Sequence, residues 1–129
     1  MSGRVLLDTN IVIALFAGEV AVEKRLNQTD AVFLPSIVLG ELYFGARKSA
    51  KVEANLICIE DFAISSSVLT CDFETAKAYG LIKSNLQARG RPIPENDIWI
   101  AAVAQQHRLT LVTRDMHFGQ IDSLNVETW

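Results

Sequence analysis

The sequence predicts an α/β domain built on a parallel sheet. Short apolar runs alternate with segments of helical spacing along the whole chain, the pattern of repeated strand–helix–strand units. The 129 residues suit one domain spanning 1–129. Half of them are hydrophobic, so the chain can bury roughly two-thirds of its unfolded surface without covalent staples.

In chain order, Val5-Leu6-Leu7 is a short apolar strand ending at Asp8. Asp8-Thr9-Asn10 is turn and cap chemistry, followed by a helix over 11–17 and an amphipathic one over 19–26. A strand over 31–34 is stopped by Pro35, and Ser36 is the expected N-cap of a helix over 37–48. The next helix covers 50–62, where Val52, Leu56 and Ile59 are helically spaced; 64–69 is expected to be extended. Asp72 caps a long helix to about Ala88, and Gly90, Pro92 and Pro94 mark a loop. The segment 97–106 is helical and apolar on nearly every side, which places it at the centre of the fold. Strands over 109–112 and 125–127 complete the chain.

Several classes are excluded. A net charge of −3 argues against a broad basic face for duplex nucleic acid, though a small site can hold a few nucleotides with local Lys and Arg. The apolar stretch after Arg4 is interrupted by Asp8 and Asn10, which disfavours a signal segment. No apolar run reaches the roughly 18 residues of a spanning helix, so the expectation is a cytoplasmic protein with no membrane partner. Cys58 and Cys71 show no metal-type spacing and are expected to be small buried hydrophobes.

Four acids stand out by position. Asp8 and Asp115 directly follow strands, where α/β sheets place their sites. Glu41 sits in Ile-Val-Leu-Gly-Glu-Leu-Tyr-Phe, and Asp97 opens the apolar helix. Taken singly, Asp8 and Asp115 also read as caps and Asp97 as an N-terminal helix acid. Together they can converge on one sheet edge. Converging carboxylates raise one another's pKa, and the usual remedy is a divalent cation; oxygen-only ligands favour Mg²⁺ or Mn²⁺ over zinc. His107 and His117 are each expected to be surface or loop residues.

The same residues resemble a known family. Leu-Leu-Asp-Thr-Asn ending at Asn10, Leu-Gly-Glu-Leu-Tyr-Phe-Gly-Ala-Arg around Glu41, Asn-Asp-Ile-Trp-Ile-Ala-Ala from Asn96, and Leu-Val-Thr-Arg-Asp ending at Asp115 are similar to the PIN-domain ribonucleases. The nearest likeness is to VapC-type toxins of toxin–antitoxin pairs, over essentially the whole chain. The resemblance implies a doubly wound parallel sheet flanked by helices, often a homodimer. It makes Asp8, Glu41, Asp97 and Asp115 an acidic quartet for Mg²⁺ or Mn²⁺, with Asp8 and Asp97 the direct contacts. It gives Thr113 the role of orienting a carboxylate or water, and Asn10 that of a supporting polar residue. It also implies an RNA substrate and a small antitoxin protein.

On this reading the chain is a metal-dependent endoribonuclease that hydrolyses RNA by metal-activated water. Arg47, Lys48, Lys51 and Arg114 are candidates for phosphate contacts, and Phe16, Tyr43 and Phe44 for apolar anchors of a partner helix. A haloacid-dehalogenase-type phosphatase would want an acid at the position of Asn10, and a phosphoacceptor domain an early acidic pair and a late Lys. The remaining alternative is a non-catalytic or regulatory module acting through a protein partner; self-repelling carboxylates argue against it.

Overall fold

The computed structural model describes residues 2–129. Five parallel strands form one sheet in the order β3-β2-β1-β4-β5: β1 (Ser2–Leu7), β2 (Thr29–Pro35), β3 (Ser67–Leu69), β4 (Thr110–Val112) and β5 (Val126–Glu127). Among the described residues, six α-helices connect the first four strands in pairs. They are α1 (Thr9–Phe16), α2 (Val20–Asn27), α3 (Ser36–Arg47), α4 (Val52–Ile64), α5 (Phe73–Ala88) and α6 (Glu95–His107). A 3₁₀ turn, Met116–Gln120, lies between β4 and β5. The sheet is doubly wound, as expected: strand order builds outward from β1 on one side to β3, then restarts on the other with β4.

β1 is central because its Val5, Leu6 and Leu7 are almost wholly buried, as suits a strand covered on both faces. Its register against β4 pairs Leu6 with Leu111 and Leu7 with Val112. The next residues on both strands, Asp8 and Thr113, therefore emerge side by side. They do so where the strand order reverses, the crevice in which α/β sheets place ligands.

The apolar sequence of α6 has the expected consequence: Ile98, Ile100 and the run Ala101 to Ala104 are all buried. Trp99 is partly exposed and stacks on Tyr79 of α5 at 4.0 Å. α6 returns to β4 against the strand direction, so its N-terminus lies at the carboxyl edge of the sheet, beside Asp8. Arg108 turns the chain from α6 into β4 in the left-handed region, at φ 55°, a conformation uncommon for a residue other than Gly.

Some local expectations differ. Ser36 does not cap α3; Pro35, with fixed φ, occupies that position without a side-chain bond. Ile64 closes α4 rather than opening a strand, and only 67–69 pair with β2. Cys58 and Cys71 are exposed, not buried: Cys58 lies in α4, where Ile59 is the buried residue, and Cys71 on the approach to α5. The Asp72 cap is present as a full capping box with Thr75.

That box also ties α5 to α6. Thr75 is fully buried; its hydroxyl accepts from Asp72 N at 2.9 Å and bonds Gln106 Oε1, while Gln106 Nε2 donates to Asp72 Oδ1 at 2.8 Å. Thr75→Val should keep the shape and strand these partners, lowering unfolding free energy by about 1–3 kcal/mol. Urea denaturation checks this; a change under about 0.5 kcal/mol would show that the network contributes nothing net.

Candidate active site

Asp8 leaves β1 and caps α1: its Oδ1 accepts from Thr9 N at 2.8 Å. Oδ2 accepts from the Thr113 hydroxyl at 2.7 Å, and Asn10 Nδ2 lies 3.4 Å from it. Asp8 is only 4% exposed and Thr113 only 1%. Burial pushes the Asp8 carboxyl above its ordinary value; the Thr113 and Thr9 bonds work against this, and the charges of Asp97 and Glu41 add to it.

Glu41 projects from α3 toward the same edge. It accepts from the Thr9 hydroxyl through Oε1 and from Asn96 Nδ2 at 3.2 Å through Oε2. Asp97 lies in the first turn of α6, where the helix N-terminus favours a negative charge. Burial nonetheless raises its pKa; His117 lowers it, and the charges of Asp115 and Glu41 raise it further. Asp115 caps the 3₁₀ turn, and its backbone N–H donates to the Thr113 hydroxyl at 3.0 Å. Thr113 therefore links two of the acids. Asn10 Oδ1 accepts from Arg114 N at 3.2 Å and holds the same loop.

The structure thus gathers all six residues singled out from sequence at one sheet edge. It adds three others. Thr9 and Asn96 orient Glu41. His117, expected at the surface or in a loop, instead places Nε2 2.6 Å from Asp97 Oδ2 and 2.7 Å from Asp115 Oδ2. Facing two carboxylate oxygens, Nε2 is placed to donate to either of them. The available signal was the Asp-x-His spacing, which one tight turn folds back on itself. His107 lies at the far end of α6, roughly 15 Å along the helix from Asp97.

The proposed phosphate ligands are less favoured. Arg114 is engaged by Glu19, at 2.7 Å, and by the Trp129 carbonyl, at 2.9 Å. Arg47, Lys48 and Lys51 are exposed around the end of α3, Glu41's own helix, with Lys48 Nζ 4.3 Å from the Phe44 ring centroid. Of the three aromatics, Phe16 joins Glu41, Ile13, Leu42, Ala46 and Ile59 in lining a groove of about 260 Å³. Phe44 is exposed, and Tyr43 packs against the core.

The donor set suits a hard divalent cation. Four carboxylates share the edge, and two of them, Asp8 and Asp97, have raised pKa values with like charges among the causes. Asp97, Asp115 and His117 each bring a donor atom within 4.8 Å of the others.

Residues 5–124 match the PIN domain family model. The chain belongs to the PIN-domain family. Within it, this PIN domain is 37% identical over 129 residues to ribonuclease VapC2 of Haemophilus influenzae, covering 98% of each chain. It is 35% identical to the tRNA(fMet)-specific endonuclease VapC of Shigella flexneri, with the same coverage. Its fold matches a chain of the DNA-bound VapBC of Salmonella typhimurium, with TM-score 0.91 and 32% identity over 100% of this chain and 99% of that one. A chain of VapBC2 from Rickettsia felis, bound to a promoter DNA fragment, also gives TM-score 0.91, at 29% identity over 98% of each chain.

The raised carboxyls make a stability prediction for the metal-free PIN domain. A folded-state pKa above the ordinary 3.8 contributes stability that is full below 3.8 and lost as pH rises through the raised value. In chelator, Asp97→Asn should melt at or above the wild-type temperature at neutral pH, with the advantage vanishing on acidification. The difference between the two proteins removes the opposite contribution of Glu19, Asp72 and Glu95, whose pKa values are lowered by hydrogen bonds. A pH-independent difference would contradict the assignment of burial strain to Asp97.

Proposed function

We propose that this chain is a metal-dependent endoribonuclease and the toxin of a toxin–antitoxin pair, with residues 1–129 as its nuclease unit. The observation that carries the reading is the convergence of Asp8, Glu41, Asp97 and Asp115, from four separate segments, on the switch point of the sheet. The VapC relatives support the choice of RNA as substrate.

Asp8 and Asp97 would hold Mg²⁺ or Mn²⁺ directly, with Glu41 and Asp115 acting on its bound waters. When bound, the ion supplies a water of lowered pKa and charge stabilisation for in-line attack on a phosphodiester. The chain's own residues set the geometry. Thr113 fixes the Asp8 carboxylate by its 2.7 Å bond, and Thr9 and Asn96 fix Glu41. Asn10 holds the Arg114 backbone, and with it the approach to Asp115.

Asp97→Asn should abolish cleavage of RNA, at least about 100-fold, because one direct ligand becomes a neutral amide. Cleavage and thermal melting measured side by side test it: wild-type turnover removes Asp97 from the site, and loss through unfolding makes its role structural. Exhaustive chelation should stop wild-type turnover, with Mg²⁺ or Mn²⁺ restoring it and zinc not required. Full activity in chelator contradicts the metal mechanism.

The partner is a small antitoxin protein. The apolar groove that Phe16 and Glu41 share offers a seat for an amphipathic helix. A basic side chain from that helix, best an Arg, would satisfy the acidic edge. Co-expression with the neighbouring reading frame should yield a complex with silent activity, recovered when the partner is removed. Full activity in the intact complex refutes it.

A further inference from the structure

We infer that His117 supplies a nitrogen ligand to the metal, so that Asp97, Asp115 and His117 form a mixed oxygen–nitrogen face preferring Mn²⁺ to Mg²⁺. This deepens the proposed metal-dependent reading and rests on it, and it moves Asp115 from a water-mediated to a direct contact.

The geometry comes first. His117 Nε2 stands 2.6 Å from Asp97 Oδ2 and 2.7 Å from Asp115 Oδ2. Adjacent ligands of a six-coordinate ion at ~2.1 Å are ~3.0 Å apart. The two separations that involve the ring are therefore slightly shorter than the spacing of neighbouring ligands, and all three donors lie within 4.8 Å of one another.

The ring is also held in place. Asp115 caps the turn, its Oδ1 accepting from His117 N at 3.3 Å. The next residue, Phe118, is fully buried and anchors the turn in the core. The His117 side chain is 33% exposed, against 14% for Asp97 and 30% for Asp115. All three side chains meet at one partly covered corner.

The chemistry gives the selectivity. Mg²⁺ takes oxygen ligands and keeps several waters, whereas imidazole nitrogen is a softer donor better matched to transition-metal ions. In the loaded form the ring would be the neutral imidazole with its single proton on Nδ1, which leaves the Nε2 lone pair for the ion. The competing arrangement is that His117 occupies the cation's place and is expelled on loading. The two make opposite forecasts for removing the ring.

The full-length chain is titrated calorimetrically with MnCl₂ and with MgCl₂, as wild type, His117→Ala, His117→Gln and His107→Ala. Pulsed electron paramagnetic resonance of the Mn²⁺-loaded forms reads ¹⁴N coupling, and thermal melts of the metal-free variants establish folding. The expected result is ¹⁴N coupling in wild type and His107→Ala, absent from both His117 variants. Mn²⁺ affinity should fall about 10-fold or more in His117→Ala, with Mg²⁺ affinity changed less than about 3-fold. Mn²⁺ bound without ¹⁴N coupling overturns the inference and leaves the ribonuclease reading standing. Tighter Mn²⁺ binding in His117→Ala overturns it in favour of expulsion. Failure of the wild type to bind either ion, with RNA cleaved in chelator, brings down the metal reading and this inference together.

Discussion

The pairing of β1 with β4 brings a buried carboxylate, Asp8, against a buried hydroxyl, Thr113, and the rest of the site is arranged around that contact. With Leu7 opposite Val112, the next pair of residues stands at the carboxyl edge, and a one-residue slip would exchange the side chains packed on the two faces of β1 and break the Asp8–Thr113 contact. A nearly buried carboxylate is costly unless it is bonded. Asp8 meets that cost with the Thr113 hydroxyl, the Thr9 amide and the N-terminus of α1. These bonds do not fully offset the burial of the carboxylate, and the charges of Asp97 and Glu41 add to what is left, which a cation can relieve.

The other acids reach this corner by different routes. α6 is apolar around its circumference and has to lie in the core; its direction then sets Asp97 beside Asp8. Glu41 comes from the middle of α3 and depends on Thr9 and Asn96 for its orientation. Asp115 is carried by the segment that follows β4, tied at one side to Thr113 and at the other to His117. Each acid is therefore positioned by a neighbour of another acid, and the cluster is held as one network.

The covering of the site is uneven. Next to Glu41 the surface becomes an apolar groove between α1, α3 and α4, while the Asp97 side is closed by the turn that carries His117. Arg114 lies between two site residues in the chain, yet its guanidinium faces away, to Glu19 and the carbonyl of Trp129. Arg114 thus braces the fold more than it neutralises the site.

Much of this was legible in the sequence, because it follows from local pattern. Alternating apolar runs and helical spacings determine an α/β domain, the all-round apolarity of 97–106 determines a central helix, and acids after strands mark the edge where a site forms. The four acids were singled out by position in the chain, and the family resemblance grouped them and added Thr113 and Asn10. What only the tertiary structure decided depends on contacts between segments far apart in the chain. His117 looked like an isolated histidine, since nothing local shows that a five-residue turn aims its ring at Asp97, twenty positions earlier. Arg114 looked like a free cation, since Glu19 lies across the sheet edge. Cys58 and Cys71 looked buried by residue type, but type states only a preference for burial. Which face of α4, or which side of a loop, meets the core is settled by packing against neighbours that the local sequence does not name.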